Sequence, residues 1–327
     1  MTLTITRHML LGASAAAMVL AGASMAGAQE RLRFSAVFSD QDIRAEMMSR
    51  FAEEAGEEFD FNGYYGASLF RQGTELVALQ RGNLEMGNIA PQDFAEQAPE
   101  WSLLTSAYLF RDAEHLNEFF RSEAGEEMKA IISDKLGVHV LGPTYFGTRQ
   151  VGLRGDRQIN TPADMNGVRL RMPGGDAWQF LGQALGANPT AVAYAEVYTA
   201  LQTGAIDGQD NPLPNVQNMK FYEVMDQIVL TSHLVGFDLL TVSGEFWDGL
   251  TPEQQEKIQT AADNAIAWST ERHLEEEAEL VAEFEGYGLN IYEPDLDAFR
   301  SYAQERYLES PQAENWPEGM LDRINAM

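Results

Sequence analysis

The 327-residue chain contains no cysteine. That excludes a disulfide framework, a thiolate metal site, a cysteine nucleophile and a lipid-bearing cysteine behind a leader. Lysine is scarce as well: Lys129, Lys135, Lys220 and Lys257 are the only four, so arginine carries most of the positive charge. Lys and Arg together number 22 against 50 Asp and Glu, for a formal net charge of −28. Such a surface argues against nucleic acid and anionic membranes as partners, because both reward positive patches. Beyond the first 28 residues, no apolar run approaches the ~18 residues of a spanning helix. Of the five histidines, His8, His115, His139, His233 and His273, no two stand at metal-ligand spacing. Glu114, His115 and Glu118 can share a helix face, but surface helices often produce such triplets. No nucleophile elbow, phosphate loop or dinucleotide fingerprint is present. The residues therefore give no positive sign of catalysis and call for no metal and no cofactor.

The chain opens on what reads as a leader. Arg7 and His8 precede an apolar stretch from Met9 through Met18 and beyond, which ends in the small-x-small triplet Ala26-Gly27-Ala28. This is the pattern of a secretory signal peptide over residues 1–28. The twin-arginine pattern around Arg7 lacks its second arginine, so general secretion is expected. Residues 29–327 are long enough for about two domains and for a core that needs no disulfides. A soluble, acidic, exported protein follows.

Leu32 to Phe38 reads as a first strand, Ser39 as the cap of a helix with Asp42 in its third position, and Ile43, Met47 and Phe51 as that helix's buried stripe. Phe59 to Tyr65 alternates into a second strand, so the opening is a βαβ unit of an α/β lobe with a mostly parallel sheet. Residues 78–85 (ALQRGNLE) are echoed by residues 200–207 (ALQTGAID), 122 positions later. In each copy a helix stops at a glycine, Gly82 or Gly204, and a short strand follows. The echo is either a coincidence of a common local pattern or the trace of two similar lobes. In the second case the polar loops Asn88 to Gln92 and Gln209 to Asn211 face each other across a cleft. Thr251-Pro252-Glu253-Gln254 caps a helix running to about Gly286, roughly 50 Å at 1.5 Å per residue and too long for one lobe. Its run Glu275, Glu276, Glu277 and Glu279 reads as a solvated face.

Arginines within strands stand out. Gly167 to Pro173 (GVRLRMP) alternates apolar and basic residues, which puts Arg169 and Arg171 on one face of a strand. Gly147 to Leu153 carries Arg149 in a similar extended setting. Arg169 reads as the partner of a surface acid. For Arg171 and Arg149, surface pairing and a guanidinium fork holding a carboxylate stand even on spacing alone.

From Arg171 outward the chain resembles a known family. PADMNGVRLRMP at 162–173, LGANP at 185–189, EVYTALQTGAIDGQDNP at 196–212 and FYEVMDQIVLTSH at 221–233 are similar to the signature region of the DctP-like solute-binding proteins of TRAP (tripartite ATP-independent periplasmic) transporters. LQRGNLEMG at 79–87 and AYLFRDAEH at 107–115 resemble the family's first-lobe landmarks, so the similarity runs through essentially all of residues 29–327. One departure is Ser106-Ala107-Tyr108 before Leu109-Phe110, where the family usually has a proline; it bears on that loop.

The resemblance implies a two-lobed α/β periplasmic binding protein (Venus-flytrap) fold with a long helix spanning both lobes. The implied division is a signal peptide at 1–28, lobe I at 29–146, lobe II at 147–236, a lobe I return at 237–250, the long helix at 251–286 and a C-terminal segment at 287–327. It further implies a periplasmic, non-enzymatic monomer that binds a small organic anion and delivers it to the small and large TRAP membrane subunits. Carried over residue by residue, the carboxylate-clamping arginine falls on Arg171, the second basic position on Arg149, the turn asparagine on Asn211 and the stacking aromatic on Tyr194. Trp178 is expected either over the ligand or in the core. Asp40, Gln41, Asn88 and Gln92 lie where first-lobe contacts are expected. The alternatives are a binding protein for an ABC importer or a sensor, and a periplasmic enzyme on a two-lobed scaffold.

Overall fold

A computed structural model describes residues 29–327, so the expected leader lies outside the described residues. The first lobe begins with β1 (Glu30–Ser35), α1 (Ile43–Ala55), β2 (Phe59–Tyr64), α2 (Glu75–Gln80) and β3 (Met86–Ile89). Helices α3 (Pro91–Ala95), α4 (Ala113–Arg121) and α5 (Glu123–Leu136) then lead to the long β4 (Val138–Leu153). The second lobe repeats that order as β5 (Arg169–Met172), α6 (Asp176–Ala184), β6 (Asn188–Ala191), α7 (Val197–Thr203) and β7 (Gly208–Pro212). After α8 (Leu213–Asn218) comes the long β8 (Gln227–Ser243), then α9 (Gly244–Gly249), α10 (Pro252–Gly286), β9 (Asn290–Tyr292), α11 (Leu296–Leu308) and α12 (Met320–Asn325).

The strands of the described residues join in the order β2-β1-β3-β8-β4-β7-β5-β6, with β9 beside β8. Read from either end, the order is the same: a parallel trio, then a long antiparallel strand. The expected mostly parallel sheet therefore holds for the two trios and fails at the centre, because β4 and β8 cross from one lobe into the other and pair antiparallel along their length. The echoed segments fall at the α2–β3 and α7–β7 junctions, equivalent places in the two halves. There Gly82 and Gly204 have φ of +64° and +73°, the left-handed turn that a Cβ disfavours.

Two apolar cores flank the sheet in each lobe. Met47, Met48 and Phe51 of α1 pack with Leu32 and Phe34 of β1 on one face of lobe I, while Trp101, Leu116 and Phe119 lie on the other. In lobe II, Leu170, Met172 and Leu181 form one core and Val197, Leu201 and Phe221 the other. Helix α10 ties them together: Ile258, Ala261, Ala262 and Ala265 sit in a lobe I core, Leu280 and Phe284 in a lobe II core. Its start is fixed by the expected box, with Gln254 N donating to Thr251 Oγ1 (3.3 Å) and Thr251 N to Gln254 Oε1 (2.9 Å).

Three local expectations are corrected. Strand β1 stops at Ser35 rather than Phe38, because its ladders to β2 and β3 both end there. Helix α1 is capped by Asp42, not Ser39: Asp42 Oδ1 accepts from Arg44 N (3.0 Å), and the Arg44 side chain fixes that carboxylate. The acidic face of α10 is not wholly solvated either. Glu277 accepts from Thr148 N (2.6 Å) and from Tyr145 Oη, and burial raises its pKa. In the loop that departs from the family pattern, Tyr108 adopts φ +60°, held by bonds from its N to His233 O (2.8 Å) and its Oη to Thr231 O (2.9 Å).

Candidate functional site

The parallel strands of both lobes end at one crevice, the place where open α/β sheets take ligands. Phe38 after β1, Asn88 of β3, Arg171 of β5 and Asn211 of β7 line a single cavity there, with Arg149 of β4 and Asp238 of β8. Strand geometry explains why the two arginines of β5 part company. Arg169 opens the strand and stays at the surface with Asp207, which accepts from its Nε at 3.0 Å. Arg171, two residues on, reaches the carboxyl end and the crevice.

The two lobe II arginines differ in their partners. Arg149 Nε donates to Asp210 Oδ2 (2.7 Å) and Nη2 to Asp210 Oδ1 (3.0 Å), and its Cζ lies 4.9 Å from the Trp178 ring centroid. Burial alone would raise the pKa of Asp210, but Arg149 and a bond from His233 Nε2 (3.2 Å) hold it well below the usual carboxylate range. Arg171 is 1% exposed, and among the described residues no carboxylate lies within 4.0 Å of its guanidinium. Its Nε donates to Val192 O (2.8 Å), and its Nη2 only approaches Gln72 Oε1 at 3.5 Å. Burial brings its pKa down to about 10, with Asp210 offsetting part of the cost. A buried cation in that state is poised for an incoming anion.

The remaining candidates divide into three groups. Tyr194, Trp178 and Asn88 line the same cavity. Tyr194 is positioned by a bond from Asn215 Nδ2 to its Oη (2.9 Å), and its N donates across the cleft to Gln72 Oε1 (2.8 Å). Trp178 is 6% exposed and belongs both to the cavity wall and to a lobe II core, so the two expectations for it coincide. Gln92 is buried but lines a small neighbouring hollow behind Arg149 and Trp178, its Oε1 without a partner. Asp40 and Gln41 are exposed on the loop before α1, hydrogen-bonded to each other (3.3 Å), and are not among the cavity's lining residues.

Sequence reasoning missed Arg44, Glu75, Asp93 and Asp238. Arg44 lies between the rings of Phe38 (4.2 Å) and Phe146 (4.3 Å) and donates to Asp42 (2.8 Å) and Asp238 (2.9 Å). A carboxylate between Phe237 and Leu239, in a strand with no other Asp, Glu, Lys or Arg, was the signal available for Asp238. Burial lifts Asp238 to about 6 despite Arg44, and lifts Glu75 and Asp93 to about 7.

A larger hollow, about 700 Å³ against about 60 Å³ for the crevice, lies on the outside of lobe I between α5 and α10. Its Lys129 is already paired with Glu126, and it holds no buried cation without an anion. The crevice is therefore the candidate site.

A sequence model of the bacterial extracellular solute-binding proteins, family 7 (DctP), matches residues 34–313. The chain belongs to this family. Among its relatives, the sialic acid-binding periplasmic protein SiaP of Vibrio cholerae is 32% identical over 266 residues, 81% of this chain and 82% of that one. A TRAP periplasmic solute-binding protein from Roseobacter denitrificans, solved with bound 3-deoxy-D-manno-oct-2-ulosonic acid, is 47% identical with a TM-score of 0.89, covering 91% of this chain and 99% of that chain. A second from the same organism, solved with L-galactonate, is 27% identical with a TM-score of 0.83, covering 92% and 99%. The expected two-lobed α/β fold is thus the fold of this DctP-family chain. No helix of the described residues is long and apolar enough to cross a membrane.

Proposed function

We propose that this DctP-family protein is the periplasmic receptor of a TRAP importer, and that it captures a small organic acid between its lobes without transforming it. The observation that carries the reading is Arg171, a fully buried guanidinium without a carboxylate partner among the described residues. In this reading the ligand's carboxylate takes the open N–H groups of Arg171. Arg149, held in place by Asp210, adds positive charge from the side, Asn211 orients the group, and Tyr194 and Trp178 wall the crevice. Asn88 contributes from lobe I, and Asp40 and Gln41 form no part of the contact set. The ligands of the two R. denitrificans proteins, a ulosonic acid and an aldonate, support sugar acids as the class to try first.

The finer expectations follow as proposals. The leader at residues 1–28 is removed on export, the mature receptor is a monomer, and it docks on the small and large TRAP membrane subunits. Lobe I comprises 29–146 with a return at 237–250, and lobe II comprises 147–236. Closure of one lobe on the other excludes water, so that Arg171 meets the carboxylate in a low-dielectric crevice.

A thermal-shift titration tests the proposal. Saturating 3-deoxy-D-manno-oct-2-ulosonic acid or galactonate should raise the melting temperature; at about 100 times the Kd a ligand adds ~2.7 kcal/mol of stability. Arg171→Ala should abolish the shift, and the acid should be recovered unchanged. A shift retained in Arg171→Ala, or a new product, overturns the reading.

A further inference from the structure

The two walls of the crevice carry opposite charge. On the lobe II side stand Arg149, paired with Asp210, and Arg171, which has no anion among the described residues. On the lobe I side stand Glu75 at the start of α2, Asp93 in α3 and Asp238 in β8, all lining the same cavity. Arg44 is the guanidinium of that side, and it is engaged twice over, by Asp42 and Asp238. Glu75 and Asp93 have no cationic partner among the described residues. Glu75 is 4% exposed; its Oε2 accepts from Thr74 N (3.0 Å), while its Oε1 is a buried acceptor with no donor.

We infer that the acidic lobe I wall is the specificity filter of this receptor: it accepts monocarboxylates that present hydroxyl donors at their far end and rejects a second carboxylate, with Glu75 as the residue that discriminates. The inference rests on the reading of the crevice as a carboxylate site. A hydroxyl brings Glu75 Oε1 the donor it lacks. A carboxylate brings only acceptors and a like charge, placed in a desolvated crevice where water cannot screen it. Burial and the repulsion between these carboxyls push Glu75 and Asp93 up to about 7, as expected where no cation relieves the crowding. Sugar acids and dicarboxylates are both bound within the family's named relatives, so the choice between them is a real one for this chain.

Paired probes that differ only in the terminal carbon test it. Calorimetric titration at pH 8.5, where Glu75 and Asp93 are ionised, compares galactonate with galactarate and gluconate with glucarate, with 3-deoxy-D-manno-oct-2-ulosonic acid alongside. The diacid of each pair should bind at least a hundredfold more weakly than the monoacid. Glu75→Gln removes the charge and supplies a donor while keeping the shape. It should shrink that ratio at least tenfold, chiefly by improving the diacid, with Asp93→Asn acting in the same direction. Melting curves establish that both variants fold. A diacid that binds wild type as well as its monoacid, or a ratio unmoved in both folded variants, overturns the filter while leaving the receptor reading in place. Arg171→Ala separates the two: binding of any acid that survives it, or the failure of every acid with wild type, sinks the carboxylate reading and the filter with it.

Discussion

A guanidinium buried at Arg171 without a carboxylate partner costs the ligand-free protein stability, since the bond to Val192 O and the more distant charge of Asp210 offset its desolvation only in part. The same group supplies affinity when a carboxylate arrives. Replacement should therefore move stability and binding in opposite directions. Arg171→Met is expected to raise the melting temperature of the free protein by several degrees while weakening acid binding by about 30-fold to several-thousand-fold, the range for removing a buried charge partner. Arg171→Lys should recover only part, because ammonium lacks the fork. Arg169→Ala, at the surface with Asp207, should leave affinity unchanged. A second residue-scale prediction concerns pH. Asp93 and Glu75 have folded pKa values near 7, above those of an unfolded chain, so between about pH 4 and 7 the folded state holds more protons than the unfolded one. The contribution of these two acids to stability then falls as pH rises through that window, while His233 and His273, whose pKa values burial lowers, contribute the opposite slope. Relative to wild type, Asp93→Asn should therefore lose melting temperature at pH 5 compared with pH 7.5, because the histidine part is common to both proteins. Strand alternation marked Arg169 and Arg171 alike, and it was the resemblance of the RMP element to the DctP-like proteins that singled out Arg171. Arg44 was not legible, since its partner Asp238 is 194 residues away and nothing near Arg44 marks it as buried.

At the scale of elements, the contact between α3 and α6 joins the lobes. Helix α6 begins at Gly175, which offers no side-chain cap, and Glu96 at the end of α3 in lobe I supplies one. Glu96 Oε1 accepts from Asp176 N (2.6 Å) and Ala177 N (3.2 Å), and a negative charge there also meets the positive end of the helix dipole. Loss of a cap costs about 1 kcal/mol, roughly a fivefold effect. Glu96→Ala should accordingly speed ligand dissociation about fivefold in stopped-flow release, without altering the order of preference among acids. An unchanged release rate would show that this bond does not hold the lobes together. Caps made locally, as at Thr251 of α10, could be read from spacing. A cap donated by the other lobe could not, because it exists only once the two chains of elements face each other. The same reasoning covers Glu277: in sequence it is one of a run of acids, and only its place beside Tyr145 and Thr148 withdraws it from solvent.

At the scale of the molecule, the passage between lobes runs through a ladder interrupted near its middle. Register shifts occur at Tyr145/Gly147 and Arg149/Val151, and Gly147 and Gly236 face each other there. A Cβ on Gly236 would stand 2.5 Å from Gly147 O, so the close approach requires glycine. The closure proposed above would bend the sheet at these glycines, and small-angle scattering should give a smaller radius of gyration with saturating acid than without it. The echo at 78–85 and 200–207 made the two halves visible in the sequence, and the cap at Thr251 made the lobe-spanning helix visible. The exchange of β4 and β8 between halves was not visible, because strand pairing across the molecule leaves no local periodicity. That exchange has a consequence for how the chain acquires its structure. The sheet of the first half includes β8, which ends at Ser243, so a fragment stopping near residue 146 lacks a central strand and should not fold alone. Calorimetry should accordingly record one unfolding transition, with equal calorimetric and van't Hoff enthalpies, rather than one per lobe. A chain that emerges amino end first cannot complete the sheet of its first lobe until about three quarters of it is out.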